Sequence, residues 1–329
     1  ETVGRDFYML SCSGETQRDM LFAGDLFDAA RIGGDIFRWS EFVTSGVDRM
    51  LSMYPYHNTL LYADPDNVVI RPKYNSFDQA VSRVSIVSAL GLPFTLGDNL
   101  PDLDSERLAL IQHAIPVLDI HPMDIRENLG DHRQLIVNLA IATPDEDWNV
   151  VDVLNLLETD NRVRVSLAGD LHLDLQPGDR YLLFDFWNRQ PLGEVSDGFE
   201  LELRPCASRV IGVRKVTGVP QILSTTRHLS QGALELSDVR YDPENRVLSG
   251  TSDLVAGDDY AVYLHVPAGL RVFHECNETT VAAVERVDAA EEISFETQCP
   301  HGSAWKITLD TSVSGPHPWS VAFTPCHPL

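Results

Sequence analysis

The stretch Asp28–Phe42, DAARIGGDIFRWSEF, places two opposite charges around a pair of glycines and ahead of apolar residues. Arg31 and Asp35 have the four-residue spacing of a helical ion pair, but Gly33 and Gly34 lie between them, and glycine destabilises a helix interior. The pattern favours a strand end that turns into a helix, at a point where the backbone approaches another group closely. Folds that alternate strands and helices carry their catalytic groups at such strand ends.

Short apolar runs alternate with helix-like stretches around this segment, over residues 1–125. The alternation predicts a parallel sheet with functional groups at the carboxyl ends of its strands. The predicted strands are Asp6–Cys12, the run before Arg31, Thr59–Asn67 and Leu92–Leu100. The predicted helices are Glu41–Tyr54, Ser76–Leu90 with Ser76 as N-cap, and Asp102–Ile115 with Asp104 or Ser105 as N-cap.

The remainder of the chain alternates apolar and polar residues with period two, which is typical of antiparallel strands. Val163, Val165 and Leu167 share one face of such a strand, and a second β block breaks at Asp242–Asn245. The predicted fold class is therefore α/β followed by all-β. The predicted domains are an α/β part at 1–125 and antiparallel β-sandwiches at 126–222 and 223–329.

The composition is strongly acidic, with 49 acidic and 25 basic residues and a formal net charge of −24. This charge repels phosphate backbones, which argues against a nucleic-acid partner. No apolar run reaches transmembrane length, so no membrane partner is expected. The balance suits a protein that handles neutral or cationic ligands.

The first residue is Glu1 and no leader pattern is present, so we expect a removed leader or an internal cut. The five cysteines form no CxxC pair, and no histidine spacing indicates zinc. Cys276 and Cys299 flank a hairpin-like region and could form a disulfide, and Asn277 begins an N-glycosylation sequon. Together these features predict a secreted protein.

Polar groups follow four strand ends in the first 125 residues, and a parallel barrel would collect them over one pocket. Carboxylates in such a pocket suit glycoside hydrolysis, in which one carboxylic acid protonates the leaving oxygen and a second carboxylate attacks or activates water. The four strand ends carry Cys12–Ser13, Arg31 with Asp35, Asp64–Asp66, and Gly97–Asp98.

Other polar and aromatic residues have simpler explanations than catalysis. We expect Asp98 to be structural, and we expect Asp102 and Asp104 to cap a helix rather than bind a metal. Trp39 and Trp187 are expected in the core rather than as sugar platforms.

Residues 6–125 resemble the C-terminal half of the catalytic barrel of glycoside hydrolase family 27, the α-galactosidases and α-N-acetylgalactosaminidases. The resemblance implies about strands 5–8 of a (β/α)8 barrel, and the sandwich that follows is similar to the C-terminal domain of the family. It rests on the order and spacing of four motifs, which are Cys12–Ser13, Arg31 with Asp35, Ile36 and Trp39, Asp64–Pro65–Asp66, and Leu96–Ile111.

The resemblance implies a retaining, exo-acting α-glycosidase without a metal or organic cofactor. Asp35 matches the acid/base, Arg31, Asp64 and Asp66 match residues that bind sugar hydroxyls, and Ser13 matches the residue facing the 2-position of the sugar. In the family, serine there accompanies a 2-acetamido group, but the sequence after Ser13 departs from the family pattern. We therefore expect an α-galactosidase, with an α-N-acetylgalactosaminidase as the alternative.

The resemblance begins at the fifth barrel strand, whereas the nucleophile of the family lies on the fourth. The implied partner is an N-terminal half-barrel chain that carries the nucleophile and forms a heterodimer with this chain. It would be either a segment cleaved from one precursor before Glu1 or a separate gene product. Cys12 would be bonded to that partner. The alternative from another class is a non-catalytic carbohydrate-binding or accessory subunit.

Overall fold

The computed structural model describes residues 7–12, 14–273, 281–288 and 302–325. Contacts between Cα atoms divide the chain into two compact units. The first comprises Glu1–Val137, Asp152–Asn161 and Leu203–Ser208, and the second comprises Asn138–Val151, Arg162–Glu202 and Arg209–Leu329. The division into domains at 1–125, 126–222 and 223–329 stays a prediction.

A parallel sheet forms near the start of the chain from three short strands. Arg31 is paired with Asp64 in this sheet, and each of the two is the last residue of its strand. In spatial order the strands are β1 (Leu10–Ser11), β2 (Ala29–Arg31) and β3 (Tyr62–Asp64).

The strand predicted over Leu92–Leu100 does not form. This segment makes only one isolated parallel bridge, between Leu96 and Val68. A strand requires a continuous ladder of hydrogen bonds to a neighbour, and the local apolar pattern does not reveal whether that neighbour exists.

Helices connect the parallel strands, and their ends follow the capping residues. The Ser76 hydroxyl accepts from the Gln79 N–H at 3.2 Å and the Gln79 side chain accepts from the Ser76 N–H at 3.0 Å, which is a capping box. Asp104 accepts from the Arg107 N–H at 2.8 Å. The helices are α1 (Gln17–Ala23), α2 (Trp39–Glu41), a π-helix (Phe42–Val47), α3 (Asp48–Met53), α4 (Phe77–Ala89), α5 (Ser105–Ala114) and 3-10 turns at Tyr54–Tyr56, Leu100–Asp102 and Ile125–Asn128.

All later strands belong to other sheets, which are rich in antiparallel pairs. The strands are β4 (Gln134–Ala142), β5 (Asp147–Asn155), β6 (Asn161–Ser166), β7 (Tyr181–Asp185), β8 (Gln190–Val195), β9 (Gly198–Leu203), β10 (Ser208–Lys215), β11 (Gln221–Thr225), β12 (Leu236–Asp242), β13 (Val247–Leu254), β14 (Ala261–Pro267), β15 (Leu270–Val272), β16 (Val281–Val287), β17 (Gly302–Leu309) and β18 (Gly315–Pro325). The sheet orders are β4-β5-β10-β7-β8, β6-β9, β11-β14-β17-β16 and β12-β13-β18-β15.

The two four-stranded sheets share one apolar core. Val262 of β14 and Ile307 of β17 belong to the same buried cluster as Leu248 of β13 and Trp319 and Val321 of β18. This is the interior of a β-sandwich. The predicted change from α/β to all-β is confirmed, whereas the identification of residues 1–125 as half of a barrel stays a prediction. Within the described ranges, no helix combines the length and apolar composition needed to cross a bilayer.

Asp152 on β5 is a fully buried acid whose protonation should make stability depend on pH. The Ser208 hydroxyl donates to its Oδ1 at 2.5 Å, and its Oδ2 has no hydrogen-bond partner. Burial raises the pKa of Asp152 to about 8 although the Ser208 hydrogen bond lowers it. The folded protein therefore retains a proton that the unfolded chain releases near pH 4.

We predict that the free energy of unfolding falls as the pH rises from about 4 to about 8, by at most ~1.4 kcal/mol per pH unit. Asp152→Asn, which keeps the group neutral, should remove this contribution and stabilise the protein at pH 8. Urea unfolding between pH 5 and pH 8 measures the slope, with Ser208→Ala as a control that keeps the acid. An unchanged slope in Asp152→Asn would show that Asp152 is ionised in the folded state.

Candidate active site

Arg31 lies at the carboxyl end of β2 and joins two of the predicted site residues. Its Nη1 donates to Oδ1 of Asp35 and to Oδ1 of Asp66, each at 3.4 Å. Both distances exceed the range of about 2.7–2.9 Å for tight charge-assisted hydrogen bonds. The guanidinium therefore holds two carboxylates side by side while it can still bind an additional acceptor, such as a sugar hydroxyl.

The turn after β3 brings Asp66 to Arg31. Asp64 is buried, and its Oδ1 accepts from the backbone N–H of Asp66 at 3.0 Å. Asp66 has a φ of 74°, a left-handed conformation that is unusual for a residue other than glycine. The Thr95 hydroxyl donates to the Asp66 carbonyl at 3.2 Å and helps to hold the turn. Such strained positions cluster at functional sites.

The surroundings of Asp64 raise the pKa of its carboxyl group. Burial raises the pKa of Asp64, the Asp66 charge raises it further, and the Asp66 N–H and the Arg31 charge lower it. Its position at the bottom of the turn fits a group that orients Asp66.

Asp35 is the most accessible of these groups, with 62% of its side chain exposed. The prediction that the backbone approaches another group closely at Gly33 and Gly34 is wrong. A Cβ at Gly34 would meet nothing within 4 Å, and one at Gly33 would meet only Arg49 at 4.0 Å. The close approach lies instead at Gly14, where a Cβ would be 2.7 Å from the Arg31 carbonyl oxygen. Gly14 thus lets the chain after β1 pass beside β2.

Arg83 on α4 holds the backbone that follows Asp35, a role that the sequence interpretation missed. Its guanidinium donates to the carbonyls of Ile36, Phe37 and Arg38 at 3.1–3.3 Å. Every residue from Ala80 to Ala89 is buried. The available signal in the sequence was that Arg83 is the only charged residue between Ala80 and Ala89.

Asp98 has the structural role expected of it. Its Oδ2 accepts from the backbone N–H groups of Ile70 and Arg71 at 2.6 and 3.1 Å, and its Oδ1 accepts from the Arg71 guanidinium at 2.5 Å. The Arg71 guanidinium carbon lies 4.9 Å from the ring centre of Tyr74 and 5.8 Å from that of Phe37. Asp98 therefore anchors the loop after β3.

The other structural expectations have mixed outcomes. Trp39 is buried and donates to the Leu156 carbonyl at 3.1 Å, as expected for a core residue, whereas Trp187 is only half-buried beside Phe186. Asp104 caps α5, but Asp102 accepts from the Asn99 side chain at 2.8 Å in a 3-10 turn rather than capping a helix. No group of three or more His, Cys, Asp or Glu suited to a metal occurs in the part of the chain that the structure describes.

Several predicted residues cannot be placed. Ser13, Cys276, Asn277 and Cys299 lie outside the described residues. Cys12 is an exposed free thiol and Cys206 a buried one, so the described part of the chain contains no disulfide.

No protein-family model and no curated protein matches the sequence. Solved structures do match. A family 27 β-L-arabinopyranosidase from Geobacillus stearothermophilus has 17% identity and a TM-score of 0.55 over 65% of this chain and 51% of its own. α-Galactosidase I from Mortierella vinacea has 15% identity and a TM-score of 0.53 over 64% of this chain and 59% of its own. An α-galactosidase from Saccharomyces cerevisiae solved with raffinose has 12% identity and a TM-score of 0.50 over 65% of each chain.

These matches concern the fold. The chain spans about half the length of the arabinopyranosidase, so the activity of those whole enzymes does not transfer to it directly. The resemblance drawn from the four motifs is supported at this level: over about two thirds of its length, the chain is similar in fold to part of the glycoside hydrolase family 27 enzymes.

Proposed function

We propose that this chain forms part of a retaining, exo-acting α-glycosidase that removes terminal α-galactosyl residues. The observation that carries the proposal is the position of Arg31 between Asp35 and Asp66, at the carboxyl ends of two neighbouring parallel strands. In this arrangement the accessible carboxyl group of Asp35 lies next to Arg31 and Asp66, which can bind hydroxyls. The shared fold with family 27 enzymes supports it.

Each residue then has a distinct task. Asp35, whose side chain is accessible, protonates the glycosidic oxygen and later removes a proton from water. Arg31 and the buried Asp66 bind sugar hydroxyls, and Asp64 orients Asp66. A retaining mechanism also needs a carboxylate nucleophile about 5–5.5 Å from the acid, and we assign it to an N-terminal half-barrel partner.

Exposed apolar side chains in and beside β1 and α1 support this partner. They are Phe7, Tyr8, Leu21, Phe22 and Leu26, and we call this set of residues the β1 face. Phe7 is 64% exposed and Phe22 is 69% exposed, and β1 is an edge strand of the parallel sheet. Large apolar patches and open strand edges mark interaction sites, and a further parallel strand with its helices would cover both.

The activity can be tested on 4-nitrophenyl glycosides with the chain and its partner together. We expect hydrolysis of the α-D-galactopyranoside, with the product released first as the α-anomer in proton NMR spectra. Because the matching solved structures include a β-L-arabinopyranosidase, 4-nitrophenyl β-L-arabinopyranoside belongs in the same assay. Binding of galactose without hydrolysis of any of these substrates would favour the alternative, a carbohydrate-binding subunit.

Ser13 is proposed to select the 2-substituent, because serine has a much shorter side chain than glutamate. We predict that Ser13→Glu lowers kcat/KM for the α-N-acetylgalactosaminide by about 100-fold relative to the α-galactoside. Paired assays on the two aryl glycosides measure this ratio, with Ser13→Ala as the control that keeps the side chain short. The same ratio in Ser13→Glu as in the wild type would exclude Ser13 as the selector.

The secreted location, the glycan on Asn277, the Cys276–Cys299 disulfide and the bond from Cys12 to the partner remain proposals. Intact-mass measurement of the native protein before and after reduction and deglycosylation tests the last three of these.

A further inference from the structure

Arg83 is a buried cation with an unusual set of partners. The residue is 4% exposed, and its guanidinium carbon lies 4.6 Å from the ring centre of Phe42. Its Nη atoms donate to three successive carbonyls, those of Ile36, Phe37 and Arg38. These residues follow Asp35 directly, so one guanidinium fixes the path of the chain as it leaves the proposed acid/base.

One donor nitrogen of Arg83 and one oxygen of Asp66 are buried without partners. These atoms are Nε of Arg83 and Oδ2 of Asp66. A buried polar group without a hydrogen bond costs roughly 1–3 kcal/mol, and native structures seldom retain two such groups near each other.

A cavity connects the two residues. It has a volume of about 20 Å³, and its lining includes Asp66, Asn67, Arg83, Ile36 and Phe42. A cavity volume of about 10–15 Å³ is enough to hold one water molecule, provided that two or more polar groups can bind the water. A guanidinium donor and a carboxylate oxygen meet that need, whereas the positive charge of Arg83 disfavours a metal cation.

We propose that a structural water occupies this cavity, accepts from Nε–H of Arg83 and donates to Oδ2 of Asp66. Arg83 is then a positioning residue for both sides of the candidate active site. It orients Asp35 through the backbone of residues 36–38 and orients Asp66 through the water. The catalytic consequence depends on the proposed function, whereas the water and the loop contacts do not.

The charges around Arg83 fit this role. Burial lowers the pKa of Arg83 to about 10, although Glu41 and Asp98 favour its charged form. The guanidinium therefore stays protonated at neutral pH. An uncompensated buried charge is unfavourable, and a water-mediated link to the Asp66 carboxylate would offset part of that cost.

The test combines a crystal structure with one pair of matched variants. At about 1.5 Å resolution, we expect an ordered water within hydrogen-bonding distance of both Nε of Arg83 and Oδ2 of Asp66. Arg83→Lys keeps the charge but cannot reach three carbonyls and a water together. Arg107→Lys is the control, because Arg107 is also buried and donates to the backbone carbonyls of Ile70 and Asn75.

Hydrogen exchange and kinetics are then compared between the two variants. In Arg83→Lys, we expect the amides of Arg38 and Phe42, which donate to the Glu41 side chain and to the Arg38 carbonyl, to exchange about tenfold faster than in Arg107→Lys. We also expect a loss of about 100-fold in kcat/KM, greatest for glycosides with poor leaving groups, since a general destabilisation would affect all leaving groups alike.

The outcomes separate the two proposals. A cavity without ordered density, or equal exchange in the two variants, would overturn the positioning role of Arg83. An ordered water and faster exchange in Arg83→Lys would support it even if the wild-type chain together with its partner hydrolysed no glycoside, a result that would overturn the proposed function alone.

Discussion

Asp35→Asn will lower turnover of an unactivated α-galactoside by about 10²–10⁴-fold, the usual contribution of a positioned general acid. The substitution removes the transferable proton and preserves the shape of the side chain. Since Asp35 is largely exposed and contacts Arg31 at 3.4 Å, we expect little change in the folded structure. The loss should therefore appear in kcat, with the melting temperature close to that of the wild type.

The dependence on the leaving group distinguishes acid catalysis from a general defect. The 2,4-dinitrophenolate group leaves without protonation. The first chemical step should therefore be much less impaired for a 2,4-dinitrophenyl glycoside than for a disaccharide. Added azide should partly rescue the second step, because it replaces water and needs no general base. Asp104→Asn provides the control, since asparagine caps a helix about as well as aspartate.

Equal and small losses on both substrates would show that Asp35 is not the acid. In that event, the Arg31–Asp35 pair would be a surface ion pair, which usually contributes less than about 1 kcal/mol to stability.

We expect the isolated chain to be inactive until the proposed N-terminal half-barrel partner is added, and we expect that partner to bind at the β1 face. We expect Phe22→Asp to weaken this association by about 2 kcal/mol or more, roughly 30-fold, because it places a charge in an apolar contact. The folded chain itself should keep its stability, because Phe22 is 69% exposed.

The measurement is the concentration of partner that restores half-maximal activity, together with a direct binding constant. Val313→Asp is the matched control, because Val313 is also exposed, at 59%, and lies outside the β1 face. A refolded chain that is monomeric, cooperative and fully active without a partner would overturn this prediction. Equal effects of the two substitutions would place the partner elsewhere.

The features that could be predicted from the sequence depend on neighbours along the chain. Helix α4 begins after Ser76 and α5 after Asp104 because caps and their acceptors lie within three residues of each other. Period-two alternation indicated the antiparallel strands, because it also depends only on residues close together in the chain. Arg31 and Asp35 were recognisable as a pair, since the turn after β2 alone brings them together.

Other features depended on contacts between distant segments. The β-strand predicted around Leu96 reduced to one bridge, because no neighbouring strand continues the ladder. The Asp102 side chain accepts a hydrogen bond from the Asn99 side chain within a 3-10 turn. It does not cap α5, because Asp104 is the N-cap residue of that helix.

By itself, the sequence determined the change from α/β to all-β and the strand end that carries Arg31 and Asp35. Only the tertiary structure decided what surrounds them. Asp66 meets Arg31 across 35 positions of the chain, and Arg83 meets the Ile36 carbonyl across 47. The hydrophobic pattern specifies which face of an element is buried, but the partner of a buried charge depends on how the elements pack, and no local periodicity encodes that.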